Sequence, residues 1–275
     1  NGSTDASAEI AKSYGERVRY FRSERTYPLG KARNLCMAES EAEYIAFLDS
    51  DDIWLPQKLE KQILLFEKEP EVALVFSDAI YFNENGDLCQ IYLKFKPPHG
   101  KIFKELFRKY FLCMASVVIR RPAIKNIDWF DERIKLFEDA CFFLRLAYKF
   151  KVDYCDEPLV KYRVRSDGGT VTDFGDLPYE RDLALKTFID EFPNFEKEHE
   201  QDIKIFQSKT SAQRAINEWV NHNPGNARRI LKNTSHKNPL IYALFFITFL
   251  PVFTFKTLFI LNYKVKSWFN WYKFE

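Results

Sequence analysis

An α/β fold with a mostly parallel central sheet is the expectation, and three features of the chain carry it. Short apolar runs alternate with amphipathic helical stretches through the first third of the sequence. One run, YIAFLD, is apolar on both faces, as strands inside parallel sheets are. It ends in three carboxylates, Asp49, Asp51 and Asp52, and open α/β sheets bind ligands at the carboxyl ends of their strands.

The elements can be read in order. Thr4 or Asp5 can cap a helix over ASAEIAKSYG, which Gly15 closes. RVRYFRS has strand alternation, and LGKARNLCMAESEA reads as a helix with Leu29, Ala32, Leu35 and Cys36 on one face. YIAFLD is the next strand. Pro56 suits the first turn of the helix PQKLEKQILLFEKEP, and VALVFSDAIYFN with the turn ENGDL is a further strand. Then come the helix GKIFKELFRKYF, the strand MASVVIRR, a helix from about Glu138 and the strand VDYCDEPLVKYRVR. Past Asp173 the pattern is helical.

Composition narrows the class. At 275 residues the chain can bury a full core. The net charge of +2 hides an asymmetry, because from Arg228 onward eight Lys or Arg face one acid, Glu275. The preceding residues are net acidic, so body and tail have different tasks. Five scattered cysteines without a CxxC pair read as reduced thiols in a cytosolic compartment, with no disulfide framework or zinc site. No signal peptide is visible. The opening NGSTD, without Met, reads as though an N-terminal segment were missing.

The last segment is distinct. Leu240 to Leu261 is nearly all apolar but is broken by Pro251 and Lys256, and NYKVKSWFNWYKFE follows. Its length is just enough to span a bilayer, which needs about 20 residues. Trp268, Trp271, Tyr272 and the lysines equally suit an interfacial belt on an anionic leaflet.

The carboxylate cluster leaves three chemistries open. Asp49 and Asp51, two apart in a turn, could hold Mg²⁺ or Mn²⁺, whose coordination is completed by substrate phosphate oxygens. An aspartate phosphatase would use the first Asp as nucleophile, but Ile53 stands where that reading wants Thr or Val. In the third case Asp49 merely caps a helix and the other carboxylates are solvated. Asp139 could likewise be a helix cap, Arg33 could pair with Glu39 or Glu43 along its helix, and Asp52 reads as a cap.

The order of motifs decides. NGSTD, PLGKARN, EYIAFLDSDDIWLPQKLEKQ, LVFSDAIYF, FDERIKLFEDACFFLRLAYKFK and DEPLVKYRVRSDGGTVT succeed one another. This succession closely resembles the family 2 inverting glycosyltransferases of the GT-A (nucleotide-diphospho-sugar transferase) fold, over Asn1 to about Thr172. In that family one β-α-β unit precedes the NGSTD segment, which would account for the abrupt start. The resemblance implies that Asp51 is the direct ligand of Mn²⁺ or Mg²⁺ and that Asp49 faces the ribose and the metal shell, with Ser50 in the same donor-binding turn. It makes Asp139, in the Glu138-Asp139 pair, the general base, with Glu138 orienting the acceptor or bonding the sugar. Arg33, with Arg163 or Arg165, falls near the nucleotide and its phosphates. The family often has His where Arg165 stands, and a frequent upstream Asn is replaced here by Thr26.

The expected protein is therefore a metal-dependent inverting transferase that moves a sugar from a nucleotide diphosphate donor to an acceptor hydroxyl. Its organisation would be a catalytic domain over 1–172, a helical C-terminal extension over 173–235, and a basic-aromatic membrane-associating segment over 236–275. A glycan or lipid-linked glycan acceptor is expected, as in lipopolysaccharide or capsule synthesis at the inner face of the plasma membrane, with no nucleic-acid partner. A sugar-nucleotide pyrophosphorylase and a non-catalytic membrane-anchored scaffold are the competing readings.

Overall fold

The computed structural model describes residues 1–252 apart from 94, 126, 165–175 and 237. Strand β1 (Tyr44–Ala46) follows helices α1 (Ser7–Ser13) and α2 (Leu29–Glu39). A turn then leads to β2 (Ile53–Trp54), α3 (Lys58–Lys68), the long β3 (Val72–Asn83) and its hairpin partner β4 (Gly86–Gln90). Next come α4 (Phe103–Arg108), β5 (Val118–Arg120), α5 (Arg121–Ile124), α6 (Glu138–Lys149) and β6 (Lys151–Arg163). Helices α7 (Leu177–Glu191), α8 (Phe195–Glu198), α9 (Glu200–Val220), α10 (Pro224–Asn233) and α11 (Pro239–Ile247) complete the described chain.

The sheet corrects the sequence expectation. Its order is β1-β5-β3-β6-β2, with β4 on β3, and among the described residues only β3 and β6 pair in parallel. The sheet is mixed and mostly antiparallel. The physical reason lies in β5. Strands β1, β3 and β6 do run the same way, as successive β-α-β units demand. The three-residue β5, however, slots between β1 and β3 and opposes both. An apolar run such as β3, whose first eight residues are all buried, records that both its faces are covered. It does not record the direction of the strand beside it. RVRYFRS, expected as a strand, forms none. Its Ser23 carbonyl accepts from the Gly2 amide at 3.3 Å, but that bond is not extended into a ladder among the described residues.

One core runs from the sheet into the helices that follow it. Phe76, Phe142 and Phe143 on the sheet side join Leu185, Phe188, Phe195 and Phe206 from α7, α8 and α9. Phe103, Phe107, Phe188 and Phe195 make an aromatic nest, with Phe107 stacked on Phe206 at 4.7 Å between centroids. Each such side chain contributes on the order of 1.5–3 kcal/mol on burial. A second cluster joins the later part of α9 to α10 and α11 through Trp219, Leu231, Ile241 and Leu244. No helix among the described residues is long and apolar enough to cross a membrane. The expected basic-aromatic segment lies largely in residues 253–275, outside the described residues.

Candidate active site

The turn after β1 takes its shape from backbone bonds. The Asp52 amide donates to the Asp49 carbonyl, and β2 then pairs with β6 at Ile53 and Trp54. The Asp52 carboxylate accepts from the Arg163 amide at 2.9 Å, and the Arg163 guanidinium donates to the Asp51 carbonyl at 3.0 Å. Asp52 thus ties the turn to the end of β6 and does not cap α3. Its second oxygen is buried without a hydrogen-bond partner among the described residues. Burial pushes its pKa up to about 6, against the opposing bond from the Arg163 amide. Arg163 lies over Phe82, 4.3 Å from the ring centroid.

Helix α2 supplies the cation. Pro28 precedes its first turn, and Gly30 and Asn34 set its approach to the segment before α6. A Cβ at Gly30 would lie 3.1 Å from the Cβ of Phe130, so the bare backbone is what permits this distance. Asn34 bonds the Phe130 backbone in both directions, at 2.9 Å as donor and 3.0 Å as acceptor. Held in this way, Arg33 reaches two carboxylates at once. It donates to Glu138 at 2.7 Å and to Asp49 at 3.1 Å. The side chains of Arg33 and Glu138 are 12% and 7% exposed, whereas Asp49 is 41% exposed and faces open solvent. Burial opposes the charge on Arg33, but Asp49 and Glu138 outweigh it and raise its pKa. The helical partners Glu39 and Glu43, suggested by sequence spacing, are not the ones Arg33 uses.

Glu138 and Asp139 open α6. Burial, then the charge of Asp139, lifts Glu138 to about 7, and Arg33 works against both. Asp139 keeps some solvent access, yet protein atoms crowd its carboxyl and this desolvation raises its pKa too. The Ala140 amide and the Tyr110 hydroxyl, at 2.6 and 3.1 Å, stabilise the ionised form. Asp139 is in the first turn of α6 rather than at its cap, where Phe137 sits. Tyr110 was invisible to sequence reasoning, because it lies in no motif and reaches Asp139 only through the fold.

The structure therefore gathers Arg33, Asp49, Glu138 and Asp139 into one run of charges, with Asp51 and Arg163 on the adjoining tie and Ser50 exposed in the turn. Arg165 lies outside the described residues. Among the described residues, no three or more His, Cys, Asp or Glu converge as a self-sufficient metal cage. Two partly exposed carboxylates, Asp49 and Asp51, fit a hard cation only when substrate oxygens complete the shell. Trp54, Phe142 and Phe143 are packing residues: the Trp54 indole donates to the Ala115 carbonyl and both Phe rings are fully buried.

Comparison with known proteins gives this geometry a context. Residues 1–128 match the family described as "Glycosyl transferase family 2". An uncharacterised glycosyltransferase of Methanocaldococcus jannaschii is 32% identical over 172 residues, covering 60% of this chain and 58% of that protein. The putative glycosyltransferase EpsE of Bacillus subtilis is 27% identical over 174 residues, 61% of each chain. The chain thus spans little more than half the length of these relatives, and about a quarter of some others. In fold it is similar to S. aureus TarS 1-349, solved in complex with UDP-GlcNAc. The TM-score is 0.61 at 16% identity, over 88% of this chain and 72% of that one. By these matches, the part of the chain that carries Arg33, Asp49 and Asp51 is similar to glycosyl transferase family 2 over residues 1–128.

Proposed function

We propose that this protein is an inverting glycosyltransferase that moves a sugar from a nucleotide diphosphate to an acceptor hydroxyl in cell-surface glycan synthesis. The observation that carries the reading is the pair of ion pairs from Arg33, which joins the strand-end Asp49 to the Glu138-Asp139 turn. Donor-side and acceptor-side carboxylates are thereby held in one site.

The chemistry follows from the residues present. An acceptor hydroxyl has a pKa far above 7, so a carboxylate must take its proton as the new bond to the anomeric carbon forms. Asp139 serves as that base. Crowding raises its pKa, which strengthens it as a base, while the bonds from the Ala140 amide and Tyr110 favour the ionised form. The bond from the anomeric carbon to phosphate oxygen breaks as the acceptor bond forms, and its electron pair leaves with the nucleoside diphosphate. Arg33 and Arg163 provide positive charge near the developing anion. Asp51 and Asp49 would hold Mn²⁺ or Mg²⁺, which supplies charge neutralisation to the diphosphate when bound.

The membrane belongs to the same proposal. Helix α11 packs Ile241 and Leu244 inward but exposes Tyr242 and Phe246, followed by exposed Phe249 and Leu250. Arg228 on α10 lies over Phe249, and the sequence beyond is basic and aromatic. Such a surface suits an anionic leaflet, so a lipid-linked acceptor at the inner face of the plasma membrane is the expected substrate. Sedimentation with phosphatidylglycerol vesicles, and not with neutral ones, is the expected result. No binding to either would remove the membrane from the proposal.

The enzymatic reading is tested by incubating the full chain with UDP-, GDP- and dTDP-sugars, UDP-GlcNAc first, and measuring released nucleoside diphosphate. Release from one donor, abolished by chelator and by Asp51→Asn, supports it. A folded protein that binds no nucleotide contradicts it.

A further inference from the structure

The residues that hold the Glu138-Asp139 turn in place come partly from the helices after residue 173, far from the motifs that suggested a catalytic role. Glu180 stands in the first turn of α7 and is buried. Its carboxylate accepts from three consecutive backbone amides, those of Lys135, Leu136 and Phe137, at 3.0, 2.6 and 3.1 Å. These amides immediately precede α6, where no side chain of the local sequence caps the helix. A shielded amide left unpaired is costly, so three bonds to one carboxylate leave this turn little freedom to adopt another path. The ring of Phe137 is fixed from the same direction. Arg181 lies 5.3 Å from its centroid and 4.2 Å from that of Phe206 on α9, while Phe137 and Phe206 meet edge to face. Tyr110, the hydroxyl partner of Asp139, has its ring centroid 6.4 Å from that of Phe137.

We propose that Glu180 is a positioning residue for the Glu138-Asp139 pair, acting through the backbone of residues 135–137. This makes α7 part of the catalytic unit. The inference rests on the function proposed above. Its chemical logic is geometric: Phe137 is the residue before Glu138, so a shift of its amide carries both carboxyls with it. A misplacement of about 1 Å can cost about a hundredfold in rate.

The test is a double-mutant cycle in the full chain, with nucleoside diphosphate release measured on the donor found active. Glu180→Ala removes all three acceptor contacts. Glu180→Gln can still accept from Leu136 and Phe137 through its amide oxygen, and so serves as the conservative variant. The expected result is a fall in kcat of about tenfold or more for Glu180→Ala, with donor KM within about threefold and most of the rate recovered in Glu180→Gln. In an Asp139→Asn background, Glu180→Ala should cost less than about twofold further, because the group it positions is already gone. An equal loss in both backgrounds, a change confined to KM, or an unchanged kcat would overturn the proposal while leaving the transferase reading intact. Should Glu180→Ala fail to fold, Glu180→Asp, whose shorter side chain draws the carboxylate back from the three amides, carries the same cycle, and its deficit must vanish in the Asp139→Asn background. A wild-type chain that turns over no donor removes both.

Discussion

Arg33 and Glu138 stand 105 residues apart in sequence and meet in a 2.7 Å ion pair, with the second arm of the same guanidinium on Asp49. A planar guanidinium aims its donors at two carboxylates in fixed directions, whereas an ammonium is a compact point charge on a flexible stem. Arg33→Lys should therefore keep the charge and lose the bridge. A fall in kcat/KM of about ten- to a hundredfold is expected, by analogy with the roughly 1.5–3 kcal/mol of a charged hydrogen bond. Steady-state kinetics check it, and an unchanged kcat/KM would show that the fork is dispensable.

Tyr110 gives a prediction with a definite sign. Its hydroxyl bond to Asp139 favours the ionised carboxylate. Tyr110→Phe removes that bond, so the pKa of Asp139 rises further. Less of Asp139 is ionised at a given acidic pH, and if it is the base the acid limb of the rate profile moves to higher pH. The variant should approach the wild-type rate only on the alkaline side. A pH profile that merely scales down, without moving, would assign Tyr110 to packing alone.

Glu138 links the site to stability. Its folded pKa, about 7, lies above the ordinary carboxylate value because the buried charge is disfavoured. The folded state consequently holds a proton that the unfolded state has released between about pH 4.5 and 7, and stability declines as pH rises through that window. Glu138→Gln cannot ionise and escapes the decline. The difference in melting temperature, variant minus wild type, should grow in favour of the variant from pH 5 to pH 8. A difference that stays flat would mean Arg33 fully compensates the charge.

Gly30 tests the close approach of α2. A Cβ placed 3.1 Å from that of Phe130 requires one backbone or the other to give way, and Asn34 pins both. Gly30→Ala normally gains helix propensity, about 0.8–1 kcal/mol. Here it should instead lower the midpoint of denaturant unfolding and weaken catalysis together. A stabilised variant with unchanged activity would show that the helix can move aside.

The legibility of this chain in its sequence divides along physical lines. β3 was readable over Val72–Asn83 because apolar runs flank Ser77 and Asp78 on both sides, and the start of α6 at Glu138 because its helical periodicity is strong. Asp49, Glu138 and Arg33 could be singled out because their motifs occur in order along the chain. Sheet direction was not readable, because burial of a strand's faces is indifferent to the sense of its neighbour, and β5 is only Val118–Arg120. Asp52 looked like a helix cap, since its partner, the Arg163 amide, lies on a strand more than a hundred residues later. Tyr110 and Glu180 escaped for a similar reason. Each acts across a long sequence separation, through a hydroxyl or a carboxylate that no local spacing marks.

The most direct test is Asp139→Asn, assayed for both donor binding and turnover. A carboxamide preserves shape but cannot take the acceptor's proton, and loss of a general base typically costs about 10²–10⁴-fold in rate. Donor affinity within about threefold of wild type, with nucleoside diphosphate release reduced by about that factor, is the result expected if Asp139 is the base. Turnover at the wild-type rate would contradict it and return the acidic pair to a structural role at the start of α6.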